Sequence, residues 1–224
     1  MEEKQSGLTI RADTVQLEAD CATGCDQLRE IHHQVKNNLQ IVISLLRIQS
    51  RGFNDPSVRA VFRRGEERIQ SMALVYDTLY RGDSLSLLPL KEYLTEMLHQ
   101  LAPPTSSAGR RAPGISCEID PIHCSSKVAT HCGLLVNELV SHRLRQSSID
   151  GTPLEIDFRI VELEDEVHVE LRDNGPCLEL SQGISQVEQQ IFDALVRQLE
   201  GSACYVPGVS FELQVSLPKW VFAE

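Results

Sequence analysis

From Leu28 the chain settles into a helical rhythm that holds to about Ser50. Leu28, Ile31, Val35, Leu39, Val42, Leu45, Leu46 and Gln49 fall mostly at steps of three and four. RGFNDPS, with its Gly, Asn-Asp and Pro, interrupts the pattern as a connection between helices does. A second helix is expected from about Pro56, with Pro tolerated in its first turn, to Tyr80. Its seam is Val58, Phe62, Gly65, Ile69, Met72, Tyr76 and Leu79. Two such helices on a short loop make an antiparallel hairpin. A hairpin this apolar does not bury itself. Beside a second copy it becomes a four-helix bundle, so a homodimer is expected; the plainer alternative is that the rest of the same chain covers the seam.

A shorter helix, KEYLTEMLHQL, ends at Pro103-Pro104, and PPTSSAGRRAPG reads as a linker. Beyond it strand and helix patterns alternate. ISCEID reads as a strand and Lys127 to about Gln146 as a helix. LEIDFRIVEL and DEVHVELRD alternate apolar and polar positions about a Glu-Asp turn, as a hairpin does. A helix from roughly Val187 to Leu199 follows, with Gly201 at the place of a C-terminal cap, then strands at 203–206 and FELQVSLP. The expected class is α+β, a helical hairpin followed by an α/β sandwich. Its parts are a lead-in over 1–25, the hairpin region over 26–102, the linker over 103–114 and the sandwich over 115–224.

Charge narrows the partners. Lys and Arg total 21 against 32 Asp and Glu, a net charge of -11, which argues against nucleic acid or an anionic membrane. No apolar run approaches a membrane span, and the acidic start MEEKQSGLTIRAD lacks the core of a signal peptide, so a cytoplasmic protein is expected. Seven cysteines without paired spacing fit a reducing compartment. His123-Cys124 and His131-Cys132 lack ligand spacing, and buried thiols rather than a metal site are expected there.

The informative stretch is LREIHHQVKNNLQIVISLLRIQSR, residues 28–51. It resembles the dimerisation and phosphoacceptor segment of bacterial sensor histidine kinases whose pattern is E-[IV]-x-H-R-V-K-N-N-L-Q. The resemblance continues through residues 68–94, which look like the second helix and exit of that module. It extends to GLLVNELVSHRLRQ, VELRDNGPC and LVRQLEG, which look like altered motifs of the kinase ATP-binding domain. The sandwich is thus expected to be a degenerate histidine-kinase ATPase domain.

The two adjacent histidines separate by angle. At about 100° per residue, His32 falls about 40° from the apolar centre of the first helix. His33 falls about 140° away, on the polar flank with Arg29, Asn37, Gln40 and Ser44. An imidazole that exchanges phosphoryl groups with another protein must face solvent, which selects His33, and the resemblance places the phosphoacceptor there too. An exposed histidine is ordinarily just solvated; the VKNNLQ match changes that reading. The family's Arg after the histidine is Gln34 here, which removes a cation from the phosphate. Gln34, Lys36 and Asn37 are expected to support the site, and Arg29, Gln40 and Ser44 to meet a docked receiver domain.

In the family, N-E-L-V-x-N-A-x-K-H carries an Asn that binds magnesium beneath the nucleotide phosphates. Here the run is Asn137-Glu138-Leu139-Val140-Ser141-His142-Arg143-Leu144-Arg145-Gln146, with His142 at the magnesium position and Arg143 at the small Ala. Imidazole suits magnesium poorly, and one lost phosphate-stabilising contact costs roughly 3 kcal/mol. The first glycine box is present as Asp173-Asn174-Gly175-Pro176 and breaks at Cys177. The second has no glycine between Gly183 and Gly201, and Glu188 takes the place of its first. A carboxylate about 5 Å from a phosphate charge is repelled by about 3 kcal/mol at an effective dielectric near 20. LELSQGISQ is short for an ATP lid. Glu138, His142, Asp173 and Gly175 are therefore expected to be vestiges of a nucleotide site, with no cofactor of the chain's own. The lead-in is too short for a sensor domain, so a complete receptor kinase is not expected.

The resemblance then implies a homodimeric histidine phosphotransfer protein of a phosphorelay, passing phosphoryl groups between receiver-domain aspartates through His33. Magnesium would arrive with the response regulator receiver. An active kinase that autophosphorylates His33 from ATP is the first alternative. A non-catalytic pseudokinase dimer that sequesters a response regulator is the second.

Overall fold

The structure, a computed structural model, describes residues 30–81, 87–101, 113–146, 153–176, 186–206 and 210–222. The lead-in over 1–25, nearly all of the 103–114 linker and nearly all of LELSQGISQ lie outside the described residues.

Helix α1 occupies 30–50 and α2 runs Pro56–Arg81. The carboxylate of Asp55 accepts the Ser57 backbone N–H and hydroxyl, both at 2.8 Å, capping α2 just ahead of its leading proline. Those bonds hold the Asp55 carboxyl below its ordinary range.

α1 carries two apolar faces rather than one seam. Ile43 is the most buried side chain of the helix, on the face that also carries Leu39 and Leu46. Ile31, Ile41, Val42, Leu45 and Ile48 remain 40–63% exposed on another. The seam drawn from the sequence mixed these faces and missed Ile43, because a helix apolar on two sides shows one blurred period. On α2 the buried residues among those described are Ser71, Ala73, Leu74 and Val75. That stretch lies against the second half of the chain, so part of the hairpin is covered in the way the plainer alternative proposed.

β1 (Leu88–Pro89) leads into α3 (Leu90–Leu101), and β2 (Gly114–Ile119) and β3 (His123–Cys124) lead into α4 (Ser126–Gln146). The two-residue antiparallel bridge of β1 with β3 is too short for any pattern to announce. The remaining elements are β4 (Glu155–Glu162), β5 (Glu166–Pro176), α5 (Gln186–Gln198), β6 (Ser202–Tyr205), β7 (Ser210–Pro218) and a closing 3-10 turn, Lys219–Phe222. The main sheet has the order β2-β4-β5-β7-β6, parallel only between β2 and β4.

Strict alternation puts Ile156, Phe158 and Ile160, Val167, Val169 and Leu171, and Leu213, Val215 and Leu217 on the buried face. α4 and α5 supply the opposing layer, in a core continuous with α3 and with Leu74 and Val75 of α2. Gly133 lets α3 approach α4: a Cβ there would lie 1.7 Å from the Tyr93 hydroxyl, which donates to the Ser71 carbonyl at 3.0 Å. Cys124 and Cys132 are core side chains, and burial raises both thiols, Cys124 to about 12.

α5 ends differently from expectation. Glu200, not Gly201, takes the left-handed conformation, with φ 52°. The Gly201 N–H returns to the Val196 carbonyl at 2.9 Å, closing the helix by a six-to-one bond. Gly201 is needed for room instead, since a Cβ would sit 2.7 Å from the Ser216 carbonyl oxygen.

Candidate functional site

His32 and His33 part as the helical wheel requires. His32 is half-buried with its ring 5.7 Å from that of Tyr76, a contact between the two helices of the hairpin. His33 is exposed, as are Gln34, Asn37, Gln40 and Ser44 beside it. The Ser44 hydroxyl donates to the Gln40 carbonyl at 2.9 Å, ordinary helix back-bonding. Arg29 lies outside the described residues. Lys36 departs from expectation: its ammonium is ion-paired with Asp77 on α2 and half-buried. Within the hairpin it serves as a tie between helices, drawn by a carboxylate that sequence spacing does not place.

The positions that resemble a nucleotide site lie elsewhere, on the face where α4 and α5 meet β5 and α2. There each acidic group is already engaged. The Arg143 guanidinium grips Asp173 through two bonds, Nε to Oδ2 at 2.5 Å and Nη2 to Oδ1 at 2.9 Å. Both side chains are buried, 2% and 0% exposed. The guanidinium carbon also lies 4.0 Å from the centre of the Phe211 ring. Glu138 receives Arg68 of α2 at 2.5 and 2.7 Å, which raises the guanidinium further from deprotonation. Glu188 accepts Arg145 at 3.0 Å and lies 3.4 Å from Arg64 of α2. His142 is buried among Arg143, Arg145, Glu188 and Asp173. Burial, then the charges of Arg145 and Arg143, push it down to about 4, so it is neutral near pH 7.

Four vestigial positions were expected here, and the structure brings Asp173 and Gly175 together beneath Arg143. Glu138 faces α2 instead. Sequence reading missed the partners: Arg64 and Arg68, and the role of Arg143 as more than a misfit for a small residue. The only available signal was their spacing, Arg64 and Arg68 four apart on one helical face. A cavity of about 320 Å³ between the hairpin and α3, bordered by Met97, Leu101, Asn137 of α4 and the pairs Arg47–Glu66 and Arg63–Glu67, does not include His33. Among the described residues no group of three or more His, Cys, Asp or Glu could hold a metal ion, and no helix is long and apolar enough to cross a membrane.

Residues 30–103 match the HisKA_2 family model, a histidine kinase family. Over 219 residues, 92% of this chain, the sequence is 27% identical to blue-light-activated histidine kinase 2 of Erythrobacter litoralis. The chain covers 58% of that relative's length, a little over half. A stretch of 52 residues, 23% of this chain, is 48% identical to the sensor histidine kinase PdtaS of Mycolicibacterium smegmatis, of which it covers 10%. Among solved structures, the histidine kinase domain of the Erythrobacter litoralis EL346 blue-light activated kinase has the same fold. The TM-score is 0.62 at 22% identity, over 88% of this chain and 95% of that one.

Proposed function

Taking as premise a histidine-kinase-family chain of two-component signalling, with residues 30–103 as its family segment, we propose that it is a histidine phosphotransfer protein. His33 takes a phosphoryl group from a receiver-domain aspartate and passes it to a second receiver. The nucleophile is the lone pair of a neutral imidazole nitrogen. As the N–P bond forms in line, the acyl-phosphate P–O bond breaks and the donor aspartate leaves as carboxylate. The return step is the same exchange in reverse, so no oxidant, reductant or nucleotide enters.

The observation that carries this reading is the Arg143–Asp173 pair. The carboxylate of the resembled nucleotide site is held by the chain's own guanidinium. A magnesium nucleotide does not fit such a face. His142 offers magnesium a buried imidazole where it needs oxygen, and Glu138 and Glu188 are committed to arginines. Magnesium is accordingly assigned to the partner receiver, and the chain to a cytoplasmic relay. The exposed apolar face of α1 supports a homodimer. Lys36 would have to leave Asp77 to reach a phosphate, so Asn37 and Gln34 are the nearer helpers of His33.

The test is phosphoryl transfer to the wild type and to His33→Ala, from labelled ATP with magnesium and from a panel of phosphorylated receiver domains. Label acquired from a receiver and not from ATP, and absent from His33→Ala, is expected. Label from ATP would restore an autophosphorylating kinase. No label from any receiver would leave a sequestering dimer.

A further inference from the structure

The irregular end of β5, Asp173-Asn174-Gly175, needs a reason to hold its shape if no nucleotide enters it. The geometry points to a receptor for a planar guanidinium or amidinium cation inside the sandwich, which Arg143 fills from within. Three features make it specific for such a cation.

Asp173 presents both carboxylate oxygens to one guanidinium, at 2.5 and 2.9 Å, a two-point match that an ammonium does not make. The plane of that carboxylate is fixed from behind, because the Gly175 N–H donates to Oδ1 at 2.8 Å. The Phe211 ring lies 4.0 Å from the guanidinium carbon and gives the cation an apolar, electron-rich wall. The register of β5 against β7 slips between Asp173 and Pro176, so Asn174 and Gly175 stand outside the regular ladder. Gly175 completes the box: a Cβ there would come within 2.9 Å of Arg143 Nη2. The walls belong to β5 and β7 and the cation to α4, so the receptor also locks the end of α4 onto the sheet. In the wild type no cation from solution enters it.

Vacating the box tests this without any phosphoryl chemistry, so the inference stands or falls separately from the relay. Thermal melting of the full chain is followed in methylguanidinium chloride at millimolar concentrations, with tetramethylammonium chloride as the ionic-strength control. Arg143→Ala is expected to gain roughly 3–6 °C once methylguanidinium reaches roughly ten times its Kd, and to go on rising with the logarithm of its concentration. The wild type and Arg143→Ala/Asp173→Asn are expected to gain nothing over the control. Absence of a gain in Arg143→Ala, or an equal gain in the double variant, would overturn the proposal. A wild-type measurement stands if Arg143→Ala does not fold: by NMR, the Arg143 Nε proton is expected to exchange with water as slowly as core amides. Exchange at the rate of an exposed arginine would overturn the receptor directly.

Discussion

The flank of α1 around His33 and the face beneath α4 are both rich in polar side chains, yet they have opposite physics. Around His33 the neighbours Gln34, Asn37, Gln40 and Ser44 are open to solvent. Beneath α4, Asp173, Glu138 and Glu188 are nearly inaccessible, and each is satisfied by an arginine of the same chain. An exposed polar site can exchange its bonds with water or with a visitor at little cost. A buried one must satisfy that capacity internally, because an unmatched buried charge costs far more than a matched one returns. The face that resembles a ligand site in sequence is therefore the one whose carboxylates already have partners within the chain.

The comparison breaks most directly at Asp173. Asp173→Ala strands a guanidinium that is 2% exposed. A loss of about 3–5 kcal/mol is expected. For a chain of this size that is a drop of roughly 10 °C in melting temperature. Receiver-driven labelling of His33, counted per folded molecule, should not change. A transfer defect in the folded fraction would show that the two regions are coupled.

His33→Ala is the converse case. It should abolish labelling while moving stability by less than about 0.5 kcal/mol, as surface substitutions do. A large destabilisation, read by chemical denaturation, would return His33 to a structural role.

Between these extremes lies the contact of the hairpin with the sandwich. Arg68→Ala removes both bonds to Glu138, whose side chain is 9% exposed while that of Arg68 is 22%. With one partner partly open to water, a cost of about 1–2 kcal/mol is expected. Gly133→Ala probes the same contact through packing. Its new methyl meets the Tyr93 hydroxyl, itself held to Ser71 of α2, and about 1–3 kcal/mol is expected from overpacking. Urea melts of the two variants and their double should show whether the ionic and packing ties act on one another.

How much of this was legible follows from the same distinction. The hairpin, the strand alternation and the outward turn of His33 depend on neighbours within a few residues, and the helical and strand periods report those. Arg143 and Asp173 are 30 residues apart, and Arg68 and Glu138 are 70 apart. A motif alignment marks such positions as defects one at a time and carries no information that two substitutions answer each other. Ile43 was missed for a related reason: with apolar residues on two sides of α1, only the tertiary structure says which side is inside. Lys36 was placed correctly on its helix, yet its partner Asp77 could be found only in space.

A last effect concerns protons and sharpens the contrast in the opposite direction. His142 is held down to about 4 from an ordinary value of 6.5, so the folded chain keeps it neutral while the unfolded chain protonates it. Between those values the unfolded state binds more protons. The stability contributed by the neutral form is therefore complete above about pH 6.5, declines as the pH falls, and is gone once the pH has passed below about 4. Glu67, raised chiefly by burial, contributes the opposite slope in the carboxylate range, so the diagnostic quantity is a difference between two proteins. His142→Asn keeps a neutral polar side chain and cannot titrate. Its melting temperature should fall less than that of the wild type between pH 6.5 and pH 4.5. Parallel curves would mean that His142 takes up its proton as readily in the folded state as in the unfolded one, with Glu188 and Asp173 still partly available to it. That would return some ligand-binding capacity to a face that its own arginines otherwise fill.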